Sequence, residues 1–125
     1  MANARILVVE DEWLIAEDHK DVLEKAGYEV VGPAASVRSA IGLIENEVIS
    51  AAVLDIGLNG ETSAALIPFL TERDIPFVFA SGYVPPDVPM ELRAYRILPK
   101  PVLALTLIQA VSGMLNGSGA SHTAC

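Results

Sequence analysis

The chain has 125 residues, enough for one domain and too few for two ordinary ones. Apolar residues make up 52% and charged residues 19%, which fits a packed globule and excludes a chain disordered throughout. Eight basic residues against 16 acidic ones leave a formal charge of −8, which argues against direct contact with nucleic acid or an anionic membrane.

The single cysteine is the last residue, Cys125, so neither an internal disulfide framework nor a cysteine-based zinc site is expected. Apolar stretches run about four to six residues, far below the roughly 20 needed to span a bilayer. The N-terminal residues lack the length and flanks of a signal peptide, so the expected location is the cytoplasm. The Gly/Ser-rich end reads as a disordered tail over residues 117–125, behind one folded domain over residues 1–116.

Short apolar runs alternate with segments of helical spacing. Ile6-Leu7-Val8-Val9 predicts a strand buried on both faces, and it ends in the acids Glu10, Asp11 and Glu12. Ile15, His19, Val22 and Ala26 form one helical stripe, which Gly27 ends. Tyr28-Glu29-Val30-Val31 predicts a second strand, closed by Gly32-Pro33. Ser36 caps a second helix with Val37, Ala40, Ile41, Ile44 and Val48 on one face.

Ala51-Ala52-Val53-Leu54 is the third strand, and it stops at Asp55. A Gly-containing loop follows, then a helix with Leu66, Ile67 and Leu70 inward. Pro68 bends that helix unless it starts late. Phe77-Val78-Phe79-Ala80 is the fourth strand. Three prolines between 85 and 93 allow only a short or frayed helix there. A fifth strand over 95–98 precedes Pro99-Lys100-Pro101, and a last helix carries Leu105, Ile108, Val111 and Leu115.

Five strands alternating with helical segments imply parallel pairing through right-handed crossovers. The expected fold is an α/β three-layer sandwich of flavodoxin-like type, with a five-stranded parallel sheet of order 2-1-3-4-5. Ligands of such sheets bind beyond the carboxyl ends of the strands, at the switch point between strands 1 and 3.

Glu10 and Asp11 stand at the end of strand 1, Asp55 at strand 3, Ser81 at strand 4 and Lys100 at strand 5. Three clustered carboxylates repel one another unless a cation neutralises them, and hard oxygen ligands suit Mg²⁺. A carboxylate can accept a phosphoryl group as an acyl phosphate, with Lys100 as a point charge and Ser81 as a neutral donor for its oxygens. The pattern therefore points to phosphoryl transfer onto an aspartate.

These residues, in this order and spacing, resemble the receiver domain of two-component response regulators over roughly residues 4–116. The resemblance implies that Asp55 accepts its phosphoryl group from a sensor histidine kinase or phosphotransfer protein. It implies Mg²⁺ ligated by Asp11, Asp55 and the backbone carbonyl of Gly57, with Glu10 acting through water. Lys100 would pair with the phosphoryl group, Ser81 would bond to it and shift on activation, and the Lys100–Pro101 peptide would be cis. Output would pass to a downstream protein, or the domain would serve as a phosphate sink. The same residues make a non-phosphorylated interaction module or an FMN carrier poorer readings, and they fit a receiver excised from a longer regulator equally well.

Pro76-Phe77-Val78-Phe79-Ala80-Ser81-Gly82-Tyr83 and the loop from Asp55 to Glu61 resemble the largely alphaproteobacterial "FAT GUY" receivers, with Ser81 in place of the usual Thr. Ordinary receivers carry an aromatic switch residue three positions before the lysine; Ile97 stands there instead. Tyr83, or ordering of the proline-rich segment 84–90, is expected to replace it. Trp13 is expected near the metal, and neither His19, read as half-buried, nor His122 is placed to act as a base.

Overall fold

The computed structural model describes residues 3–58, 60–82, 90–92 and 94–116. In chain order these form β1 (Arg5–Val9), α1 (Trp13–Lys25), β2 (Glu29–Ala34), α2 (Val37–Asn46) and β3 (Ala51–Asp55). A small hairpin follows, β4 (Gly57–Leu58) and β5 (Glu61–Thr62), then a 3₁₀ turn (Ser63–Leu66) leading into α3 (Ile67–Glu72). The chain continues through β6 (Phe77–Ser81), a 3₁₀ turn (Met90–Leu92), β7 (Ile97–Pro99) and α4 (Ala104–Leu115).

The main sheet has five parallel strands in the order β2-β1-β3-β6-β7, which is 2-1-3-4-5 once the hairpin is set aside. One face packs Leu7, Val9, Leu54, Phe77 and Phe79 with residues of α2 and α3. The other packs Ile6, Val8, Val53 and Val78 with α1 and α4. Residues of the central strands alternate between the two cores, which is why these runs are apolar throughout. Each such buried side chain contributes about 1.5–3 kcal/mol.

Local signals were read correctly where they act through the backbone. The Ser36 hydroxyl accepts from the Ser39 N–H at 3.1 Å and caps α2. Pro68 sits at the second position of α3, where its missing N–H costs no helical bond. The Lys100–Pro101 peptide is cis.

Other expectations need correction. The second strand does not close at Gly32 but runs to Ala34, with a register shift opposite Leu7 and Val9. Gly32 has φ +93°, and a Cβ there would stand 2.8 Å from the Ala34 nitrogen, so glycine is what lets the strand bend and continue. In α1 the buried positions are Ala16, His19 and Leu23, and Ala26 lies past the helix, exposed. His19 is 3% exposed and so fully buried. Val48 follows the end of α2 and is 76% exposed.

In α4 the buried side chains are Leu107, Ala110, Val111 and Met114, while Leu105 is exposed. Apolar residues fill eight of its twelve positions, so periodicity offers two overlapping stripes and packing against β3 and α1 decides between them. The last strand is Ile97–Pro99, two residues later than expected. Of the proline-rich segment, the described residues show only the Met90–Leu92 turn. Tyr83, residues 84–89 and the tail over 117–125 lie outside the described residues.

Candidate functional site

The carboxyl ends of β1, β3, β6 and β7 bring the five strand-end side chains to one edge of the sheet. The Glu10 N–H donates to the Ala34 carbonyl at 2.9 Å, which ties the end of β1 to β2. The Ile56 N–H donates to the Ala80 carbonyl at 3.1 Å and the Lys100 N–H to the Ser81 carbonyl at 2.9 Å. Asp55, Ser81 and Lys100 are thus held by the ends of the ladder itself and not by free loops.

One oxygen from each of Glu10, Asp11 and Asp55 lies within 4.8 Å of the others. Glu10 is 3% exposed and Asp55 8%, so two of the three acids are withdrawn from water. Lys100 Nζ answers both, at 2.9 Å from Glu10 Oε1 and 3.1 Å from Asp55 Oδ1. Glu10 Oε2 also accepts from the Glu12 N–H at 3.1 Å, which fixes its carboxylate plane.

One ammonium does not balance this much negative charge. Burial raises the Asp55 pKa from 3.8 to about 7, and the charge and hydrogen bond of Glu10 add to the rise; Lys100 opposes it. Burial disfavours the Lys100 ammonium, but its bonds to Glu10 and Asp55 outweigh that and raise its pKa. Three convergent hard oxygens and an excess of negative charge fit a divalent cation such as Mg²⁺.

Gly57 stands two residues beyond Asp55 and pairs with Thr62 in the β4–β5 hairpin, which Gly60 turns with φ +86°. Ser81 ends β6, is buried and is paired with Pro99 of β7. Along the pleat Phe77, Phe79 and Ser81 share a face.

Tyr95, which sequence reasoning did not single out, packs its ring on that face. Its centroid is 5.4 Å from that of Phe77 and 5.9 Å from that of Phe79, and the two phenylalanines meet edge to face at 5.6 Å. Its spacing of two from Ile97 was the available signal. Trp13 opens α1 beside the carboxylates and is 70% exposed. His19 lines a groove of about 220 Å³ with Lys100 and Val102 on the other flank of α1. Burial lowers its pKa, Glu10 and Asp18 oppose this, and Lys100 adds to it.

A family model described as the response regulator receiver domain matches residues 6–112. The transcriptional regulatory protein YvrH of Bacillus subtilis is 37% identical over 83 residues, 64% of this chain and 35% of that protein. The transcriptional regulatory protein PdtaR of Mycobacterium tuberculosis is 30% identical over 113 residues, 86% of this chain and 54% of that one. The chain thus spans about half or less of the length of these curated relatives. The solution structure of SdrG from Sphingomonas melonis Fr1 superposes with a TM-score of 0.79 at 38% identity, covering 92% of this chain and 99% of that one.

Proposed function

The chain belongs to the response regulator receiver domain family, and from that premise we propose that it accepts a phosphoryl group on Asp55 and signals through protein contacts. The observation that carries this reading is the placement of Asp55, buried at the end of β3, within a cation-sized set of carboxylates and 3.1 Å from Lys100 Nζ. Receivers work with histidine kinases or phosphotransfer proteins, so the donor is a phosphohistidine of such a partner.

In the transfer, an Asp55 carboxylate oxygen attacks phosphorus in line with the phosphorus–nitrogen bond. The oxygen–phosphorus bond forms, the bond to the imidazole breaks, and the leaving imidazole nitrogen keeps the electron pair and takes a proton. Asp11, Asp55 and the Gly57 carbonyl would hold Mg²⁺, with Glu10 supporting it through water. When bound, the ion neutralises charge on the phosphoryl oxygens. Lys100, already oriented by Glu10, pairs with one phosphoryl oxygen, and the Ser81 hydroxyl donates to another.

We likewise propose that the receiver occupies residues 1–116 and works in the cytoplasm, and that it groups with the "FAT GUY" receivers on the likeness of the segment from Pro76 to Tyr83. No helix among the described residues is long and apolar enough to cross a membrane. The test is intact mass after incubation with acetyl phosphate and Mg²⁺. A gain of about 80 Da (one phosphoryl group) is expected, absent with EDTA and absent in Asp55→Asn. An unchanged mass under conditions where Mg²⁺ binds would overturn the reading.

A further inference from the structure

Beside the carboxylates, on the flank of α1 that faces β2, lies a second cavity of about 180 Å³. Trp13 and Pro33 contribute apolar wall, Ala16 leaves room through its short side chain, and Glu10, Asp11 and Glu17 bring negative charge. Among the described residues, no basic side chain lines it. Trp13 and Glu17 are one helical turn apart, so the indole and an exposed carboxylate stand over the same opening.

Among the described residues, no hydrogen bond or ring contact accounts for the exposed indole. Trp13 is 70% exposed at the first position of α1, where a polar residue would serve the helix better. An aromatic face, an adjacent exposed carboxylate and the apolar wall of Ala16, Pro33 and Ala35 suit an alkyl cation. The stem of such a cation would pack on Trp13 and Pro33, and its charge would meet the indole face and Glu17.

We propose that this cavity takes an arginine or lysine side chain of the partner protein that donates the phosphoryl group, and so helps to select that partner. The identity of the partner as phosphodonor rests on the function proposed above; the chemistry of the cavity does not. The chain's charge of −8 favours a basic partner surface, and an occupant here stands next to the carboxylates that receive the phosphoryl group.

Ethylguanidinium is a suitable probe, because it carries the head and part of the stem of arginine. The titration follows the Trp13 indole N–H and the backbone amides by NMR, with Mg²⁺ saturating throughout so that competition for the metal ligands cannot produce the signal. A shift of Trp13, Ala16 and Glu17 that saturates within about 100 mM is expected, as one cation–π contact and one carboxylate pairing allow. Equal sodium chloride and neutral butanol should not reproduce it. Glu17→Gln changes one exposed carboxylate and should weaken binding about fivefold. Trp13→Leu should abolish the response at Ala16 and Glu17.

A linear drift shared with sodium chloride, or affinity untouched by Glu17→Gln, would overturn the proposal. Labelling by acetyl phosphate, measured on the same samples, keeps the two readings apart. Glu17→Gln should label like the parent chain. Failure of the parent to label would strike at the function of Asp55 and leave the titration still decisive for the cavity.

Discussion

Lys100 bridges the ends of two strands that are not neighbours, reaching from β7 past β6 to place Nζ 3.1 Å from Asp55 Oδ1 at the end of β3. The same ammonium lies 2.9 Å from Glu10 just beyond β1, so one cation ties the ends of three strands at the point where charge is most crowded. Lys100→Met should keep the volume and remove the charge, leaving two buried acids without their cation. The expected loss is about 2–3 kcal/mol in urea unfolding at pH 8, because breaking a buried pair strands its partner. At pH 5 the loss should shrink, since Asp55 then carries a proton. Equal losses at the two pH values would contradict this.

The metal-free protein should become less stable as pH rises. Asp55 has a folded pKa of about 7 against an ordinary 3.8, so between these values the folded state holds the extra proton. Stability is full below about pH 4 and falls as pH passes through 7, by up to about 4 kcal/mol from this group. Asp55→Asn carries no such charge and should flatten that slope, making the variant more stable than the parent at pH 8. Urea unfolding against pH in EDTA measures both. A parent curve that rises from pH 5 to 8 would refute the charge-crowding account.

Cation binding should release a proton on the acid side of 7. Below that pH the folded Asp55 is protonated, and ligation requires its carboxylate. Mg²⁺ affinity should therefore fall as pH drops from 8 to 6, by at most about tenfold per unit. Calorimetry at pH 6 in two buffers of different ionisation enthalpy should show proton release, which disappears at pH 8 and in Asp55→Asn. Trp13, beside Glu10 and Asp11, offers an independent fluorescence readout.

Tyr95 should matter through its ring and not through its hydroxyl. It contacts both Phe77 and Phe79, whose face of β6 continues to Ser81. Tyr95→Phe should stay within about 0.5 kcal/mol of the parent, and Tyr95→Leu should lose about 1–2 kcal/mol as two aromatic pairs disappear. Chemical denaturation of the two variants distinguishes these effects. A costly Tyr95→Phe would instead assign the weight to the hydroxyl.

The sheet was legible because its strands are buried on both faces, so that each appears as an apolar run, and because the acids that end β1 and β3 mark the switch point. The candidate site followed from that topology: residues far apart in sequence converge once the strand order is known. What misled was helical phase. In α4 apolar residues occupy eight of the twelve positions, and contact with the sheet selects Leu107 and Met114 over Leu105. The bend at Gly32 was read as an end because a Gly-Pro pair carries no sign of whether the ladder resumes beyond it. Tyr95 went unnoticed because its partners lie on another strand, and Ile97 drew attention to the aromatic that was missing in place of the one that was present.

The most direct test of the central claim is chemical trapping of the acyl phosphate. The protein is treated with acetyl phosphate and Mg²⁺, then with borohydride, which reduces an aspartyl phosphate to homoserine, and the modified residue is located by peptide mass spectrometry. The account predicts homoserine at position 55 alone, and none when EDTA replaces Mg²⁺. Homoserine at another acid, or none in a protein shown to bind Mg²⁺, would contradict it.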